Sequence, residues 1–309
     1  MATSITNTPT VIKADGLYKS FGNIEAVRGV SLDIHRGELY GLIGPDGAGK
    51  TTTLHILTTL ILADKGTASI AGLDVVKKYR KIRSTVGYMP GRFSLYQDLT
   101  IEENLKFFAN LFDVDLEKNM QIIEPVYKQL ARFKDRAAGH LSGGMKQKLA
   151  LCCALIHDPQ ILFLDEPTVG VDLIARGEFW KVLRSLTDQG VTILVTTSYM
   201  DEATMCDRIS LINRGHILKT GTPKELTDGF GSPLFAISAP EMMPLLHKAR
   251  KLPYCQNAYT FGQSLHLVTK DGITVDTIKK DLADTEGLKV ATDKPDIEDL
   301  FIKLMKNDG

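Results

Sequence analysis

The 309-residue sequence has no long hydrophobic run: the longest apolar stretches, such as residues 149–156, reach about eight residues. A membrane-spanning helix needs about twenty, so no segment is expected to cross a bilayer. Residues 1–10 are polar, with no charged start leading into an apolar stretch, and no signal peptide is expected. Net charge is also missing, because 37 Lys and Arg balance 37 Asp and Glu. That excludes the globally basic footprint usual in nucleic-acid binding, while leaving local patches open. Cysteine is scarce: Cys152 and Cys153 are neighbours, Cys206 and Cys255 lie far apart, and no pair has metal-ligand spacing. Reduced thiols in a reducing compartment are the plain reading. Repeats and low-complexity tracts are absent. What is present is ordinary globular composition, 43% hydrophobic and 24% charged, in a length suited to about two domains.

Short β-like stretches come first, at residues 11–14 and 30–34. The apolar strand 39–43 ends in a glycine-rich turn, and helical spacing follows at Leu54, Ile56, Leu57, Leu60 and Ile61. From about residue 94 to 157 the pattern is mainly helical. Strand signals return at 161–164, a continuous apolar run of the kind found in a parallel sheet covered on both faces. A helix with Ile174, Phe179, Val182, Leu183 and Leu186 on its inner face is then expected, followed by a buried strand over 191–196. The predicted architecture is an α/β core, residues 1–222, interrupted by a helical insert at about 94–157. A small α+β appendage follows over 223–309, with strand-like pieces at 234–237 and 264–268 and helical pieces at 273–282 and 297–305.

Three elements carry chemistry. The run Gly44-Pro45-Asp46-Gly47-Ala48-Gly49-Lys50-Thr51, with Thr52 behind it, fits a phosphate loop. Its fixed positions would match by chance in roughly one chain in a hundred of this length, and the strand before and helix after reduce that further. Glycines let backbone N–H groups turn toward phosphate oxygens, and the following helix adds its positive end. Lys50 is placed to reach the β- and γ-phosphates, and the Thr51 hydroxyl to hold Mg²⁺. Asp165 ends the strand 161–164, where Mg²⁺ needs a carboxylate partner. Glu166 follows it as a base for an attacking water, an acidic helix cap being the alternative. In Leu141-Ser142-Gly143-Gly144-Met145-Lys146-Gln147, Ser142 is a good helix cap. The two glycines suit close backbone approach to an anion better than they suit a helix.

In this order and spacing the elements resemble the ATP-binding subunit of an ABC transporter, over about residues 10–222. The resemblance rests on the loop 44–52, the signature 141–147, Asp165-Glu166-Pro167, and Asp172 in the following turn. It implies a P-loop NTPase fold of the ABC cassette type, with a mixed sheet, and Mg²⁺-dependent ATPase activity. It also implies a head-to-tail dimer that buries ATP. One subunit supplies the phosphate loop, Asp165 and Glu166, and the other presents Ser142, Gly143 and Gly144 to the γ-phosphate. Phe21 resembles the aromatic on which adenine stacks, with core packing as the alternative. A separate membrane permease is the implied partner, placing the chain on the cytoplasmic face of the cell membrane with no nucleic acid involved. The tail is similar, more weakly, to those of bacterial exporter ATPases. Phe93 and Tyr96 line the groove for the permease's cytoplasmic helix or pack in the core, while His140 and His157 read as packing or capping residues.

Two positions depart from the family pattern. The segment Gly87-Tyr88-Met89-Pro90 normally leads into a glutamine that senses Mg²⁺ and water, but here leads into Gly91, with Gln97 six residues further on. A histidine normally contacting the γ-phosphate is replaced by Ser198, which cannot carry positive charge. Asp46 stands where asparagine is usual. A slow site on this chain's own loop, completed by a second and different cassette, is therefore expected. The pattern resembles the degenerate first cassette of tandem-cassette drug-efflux ATPases. A mainly regulatory nucleotide-binding subunit and a soluble ABC protein acting on ribosomes or DNA are the competing readings.

Overall fold

The computed structural model describes residues 8–307, and the chain divides into two compact units after Pro223. The first unit opens with β1 (Thr10–Phe21) and β2 (Ile24–His35), and then enters the fully buried β3 (Leu39–Ile43). Helix α1 (Lys50–Leu57) leaves β3 through the glycine-rich loop. Then come β4 (Lys65–Ile70), β5 (Leu73–Asp74), α2 (Tyr79–Arg83) and β6 (Val86–Met89). Three helices follow, α3 (Ile101–Leu111), α4 (Leu116–Tyr127) and α5 (Gly143–Leu155). The unit closes with β7 (Ile161–Asp165), α6 (Leu173–Asp188), β8 (Thr192–Thr197), β9 (Arg208–Asn213) and β10 (His216–Gly221).

Two sheets form. An antiparallel one has the order β2-β1-β4-β5, and a six-stranded one the order β10-β9-β3-β8-β7-β6. In the larger sheet every pairing is parallel except the edge pair β9–β10. All residues of β7 and β8 are buried, as a strand covered on both faces requires. Register does the positioning: Ile43 pairs with Thr197 and Asp165 with Thr196, so β3, β7 and β8 end side by side. The loops leaving them therefore converge at the carboxyl edge of the sheet, where ligands bind in open α/β folds.

The structure corrects several sequence expectations. β1 and β2 form a long hairpin with bulges rather than two short strands. Helix α1 stops at Leu57, because Thr59 turns into the left-handed region (φ 65°), so Leu60 and Ile61 lie beyond the helix. Ile174 is not on the inner face of α6: it is 78% exposed, whereas Phe179, Leu183 and Leu186 are buried. In the helical insert, α3 starts in a capping box, with Thr100 accepting from the Glu103 amide and Glu103 from the Thr100 amide.

The second unit carries α7 (Pro223–Asp228), β11 (Leu234–Ser238), α8 (Met242–Arg250), β12 (Cys255–Phe261), β13 (Ser264–Thr269), α9 (Val275–Asp281), β14 (Lys289–Asp293) and α10 (Ile297–Asn307). Its sheet is antiparallel, ordered β12-β13-β11-β14, over a core that includes Phe235, Leu245, Leu265, Leu267 and Ile278.

Cys152, Cys153 and Cys206 are buried, and burial pushes all three thiols up; only Cys255 is partly exposed. Alkylation of the native chain is therefore expected to label Cys255 first, the other three reacting only on unfolding. Peptide mapping after timed labelling checks this, and early modification of Cys206 would count against its burial.

Candidate active site

The phosphate loop joins β3 to α1, and its tightest turn depends on Gly49. Its φ is +102°, and a Cβ there would lie 2.4 Å from the Ala26 carbonyl oxygen. The amides of Gly47, Gly49, Lys50 and Thr51 make no hydrogen bond among the described residues. They stand at the start of a helix, an arrangement suited to an anion. Lys50 is 4% exposed, and its Nζ donates to the carbonyls of Gly44 (2.7 Å) and Pro45 (3.0 Å) and lies 2.9 Å from Glu166 Oε1.

Asp165, at the end of β7, accepts hydrogen bonds at Oδ1 from Thr51 Oγ1 (2.9 Å) and Thr196 Oγ1 (2.7 Å). A hydroxyl and a carboxylate in contact beside free loop amides are hard oxygen donors of the kind Mg²⁺ selects, so the residues present fit that ion. The next residue, Glu166, adopts a left-handed backbone (φ 47°), which costs an L residue roughly 1–2 kcal/mol. Its amide donates to the Thr196 carbonyl and to Thr196 Oγ1, both at 3.1 Å. That turn sends its carboxylate to Lys50 on one side and to the Ser198 amide (3.0 Å) on the other. Neither Asp165 nor Glu166 caps the following helix; Asp172 does, accepting from the Ala175 amide at 3.0 Å.

Gly91 lies beside this cluster. A Cβ built there would come 3.1 Å from the Asp165 carbonyl oxygen and 3.5 Å from its Oδ2. Burial, and then the Asp165 carboxylate, push the neighbouring Tyr88 phenol up. Asp46 is exposed at the loop's tip. Phe21 is 51% exposed at the end of β1, with Lys19 Nζ 5.6 Å from its ring centre, so core packing does not account for it.

Ser142 caps α5, accepting from the Met145 amide at 3.4 Å, and Ser142 and Gly143 are exposed. Among the described residues no hydrogen bond or ion pair joins Ser142, Gly143 or Gly144 to the phosphate loop. The glycines have a role inside the chain as well. A Cβ on Gly143 would meet the Gly170 carbonyl oxygen at 2.8 Å, and one on Gly144 the Ala175 Cβ at 3.0 Å. The signature thus packs on the turn that holds Asp172.

Two positioning groups escape a reading by motif. Thr196 is fully buried and bonds both Asp165 and Glu166. Glu202 is 3% exposed and accepts from Thr168 Oγ1 (2.7 Å), Thr197 Oγ1 (2.6 Å) and Arg176 Nε (3.1 Å). The Arg176 guanidinium also lies 4.1 Å from the Tyr199 ring centre. A threonine at a strand end and an acid in a short helical turn are common enough that sequence spacing gives no signal for either.

A cleft of about 220 Å³ lies between the helical insert and the core, lined by Leu60, Tyr88, Met89, Leu95, Phe108 and Phe112 among others. Phe93 and Tyr96 do not line it; Tyr96 is 52% exposed and packs edge-on against Phe107. His157 packs in its wall, stacked on Phe112 at 3.8 Å, and burial pushes its imidazole down.

Residues 27–169 match the ABC transporter family. The probable multidrug ABC transporter ATP-binding protein YbhF of Escherichia coli K12 is 40% identical over 97% of this chain and 53% of its own length. The Nod factor export ATP-binding protein I of Rhizobium sp. N33 is 36% identical over 94% of this chain and 95% of its own. The chain belongs to the ABC transporter ATP-binding family. The chain spans about half the length of the YbhF protein. Its fold is the α/β fold of solved cassettes. The ATP-binding subunit of an ABC transporter superposes with a TM-score of 0.65 at 27% identity, covering 72% of this chain and 94% of that one. A dimeric cassette in a post-hydrolysis state, bound to ADP and Pi, superposes with a TM-score of 0.62 at 25% identity, covering 68% and 98%.

Proposed function

We propose that the cassette binds and hydrolyses ATP as the energy-coupling subunit of an ABC exporter, with a slow site on its own phosphate loop. The observation that carries this reading is the convergence of Lys50, Thr51, Asp165 and Glu166 at the ends of β3 and β7 in a chain of this family. Loop amides and Lys50 take the phosphates, and Thr51 with Asp165 would hold Mg²⁺, which when bound neutralises phosphate charge. Thr52 and the backbone of residues 44–49 complete the cradle, and the exposed Phe21 ring offers adenine a stacking face. Glu166, freed from Lys50, takes the proton of the attacking water.

Ser142 and Gly143 are exposed and Gly144 half-buried, and among the described residues no hydrogen bond ties them to this chain's own phosphate loop, which supports a role for them in the site of a second cassette in a head-to-tail dimer, with Asp172 at the same interface. Gly91 and Ser198 weaken the site on this chain's own loop while its signature is intact, which supports a heterodimer whose other cassette keeps glutamine and histidine over a homodimer of two weak sites. The apolar cleft between insert and core receives a helix of the membrane permease, which keeps the cassette at the cytoplasmic face of the membrane. No helix of the described residues is long and apolar enough to cross a bilayer.

The test is nucleotide binding and phosphate release by the purified chain. ATP is expected to bind with slow turnover, and Lys50→Ala to weaken binding by roughly ten- to a hundredfold, the loss of a charge-assisted contact. Brisk turnover by the chain alone, abolished in Lys50→Ala, would sink the slow site; binding indifferent to Lys50→Ala would sink the phosphate loop itself.

A further inference from the structure

Although net charge is zero, five of the seven residues 77–83 are basic: Lys77, Lys78, Arg80, Lys81 and Arg83. They lie on α2 and the turn before it, all exposed, while Ile82 is fully buried and pins the segment to the core. Among the described residues none of the five forms an ion pair, and the ammonium groups of Lys77, Lys78 and Lys81 make no hydrogen bond. The nearby acid, Asp74, is engaged by the amides of Val76 (2.9 Å) and Lys77 (2.8 Å). Apolar surface is interleaved with the cations. Val76 is 55% exposed, and Tyr79 is 38% exposed with the Arg80 and Arg83 guanidinia at 5.7 and 5.2 Å from its ring centre. The patch is continuous with the cleft between insert and core, because Arg83 and Leu60 line that cleft.

We propose that this basic patch, residues 76–83, rests on the anionic headgroups of the membrane surface beside the permease. Unpaired lysines on flexible stems, without the fixed geometry that a carboxylate pocket would need, match a diffuse negative surface. An exposed tyrosine and valine among them suit the headgroup layer. The orientation rests on the permease-docking reading of the cleft, but the lipid affinity does not.

Flotation of the purified full chain with vesicles tests it. Binding is expected to vesicles of phosphatidylcholine mixed with phosphatidylglycerol and not to phosphatidylcholine alone, and high salt should abolish it. The triple variant Lys77→Glu, Lys78→Glu, Lys81→Glu should partition at least about a hundredfold less while binding ATP as before. Reversing Lys279 and Lys280 in the second unit should change nothing. The proposal is overturned by a wild-type chain that ignores anionic vesicles or binds neutral ones equally, or by a triple variant that partitions like the wild type. It is also overturned if the triple variant keeps its vesicle affinity but loses a co-purifying permease, since the patch would then meet protein. No permease is present in the flotation assay, so failure there leaves the transporter reading standing. A chain that floats with anionic vesicles yet hydrolyses nothing would support the patch and count against the ATPase.

Discussion

Gly91→Gln combined with Ser198→His is expected to raise ATP turnover of the purified chain by at least about a hundredfold. The place for the glutamine exists. Gly91 has an ordinary backbone conformation, and a Cβ there would stand 3.5 Å from Asp165 Oδ2, on the carboxylate proposed to hold Mg²⁺. The contact of 3.1 Å with the Asp165 carbonyl requires a shift of only a few tenths of an ångström. At position 198 the backbone already serves the site, because the Ser198 amide donates to Glu166 Oε2 at 3.0 Å. The side chain is what falls short: its hydroxyl lies 3.5 Å from the same oxygen and carries no charge. An imidazolium would add positive charge where the γ-phosphate becomes more negative. Steady-state phosphate release, measured over a range of protein concentrations to allow dimer formation, gives the result. Single variants should each recover part of the gain, and a double variant no faster than the wild type would show that these positions do not limit the site.

Glu202→Ala is expected to destabilise the first unit by about 3–5 kcal/mol, the cost of removing one partner of a buried ion pair. Glu202 is 3% exposed and Arg176 16% exposed at its side chain, with 3.0 Å between them. Truncation leaves the Arg176 guanidinium with the exposed Asp201 and takes the acceptor away from the hydroxyls of Thr168 and Thr197. Glu202→Gln keeps the shape and some hydrogen bonds, so it should lose less than the alanine variant. Urea denaturation of the three proteins separates the cases, and an alanine variant as stable as the wild type would mean that the network contributes nothing. The alanine variant should also slow turnover under native conditions, because Glu202 ties Thr168, just after Glu166, to Thr197, just before Ser198.

Much of the candidate site is legible in the sequence because the chemistry proposed for it needs particular residues at fixed spacing. Lys50, Thr51, Asp165 and Glu166 stand out on motif alone, and the fold pairs Thr51 with Asp165 and Lys50 with Glu166. The apolar runs of β3, β7 and β8 were readable for the reason that both faces are covered. Other features depended on partners distant in sequence. The left-handed Thr59 ends α1 where its apolar spacing continues, and its hydroxyl and carbonyl are held by Arg83. Ile174 has the spacing of an inner-face residue but lies in the first turn of α6, beyond the reach of the sheet. Thr196 and Glu202 matter through contacts 30 or more residues away, as with Glu166 and Thr168, and no local pattern announces them.

The contact between Lys50 and Glu166 bears on the economy of the resting chain. Glu166 Oε1 and the Lys50 ammonium group, 2.9 Å apart, are engaged with each other. On the proposed reading, a terminal phosphate that draws Lys50 to itself would do two things at once: it would dock, and it would release the carboxylate. Until then the two groups that the proposed chemistry needs hold each other in place.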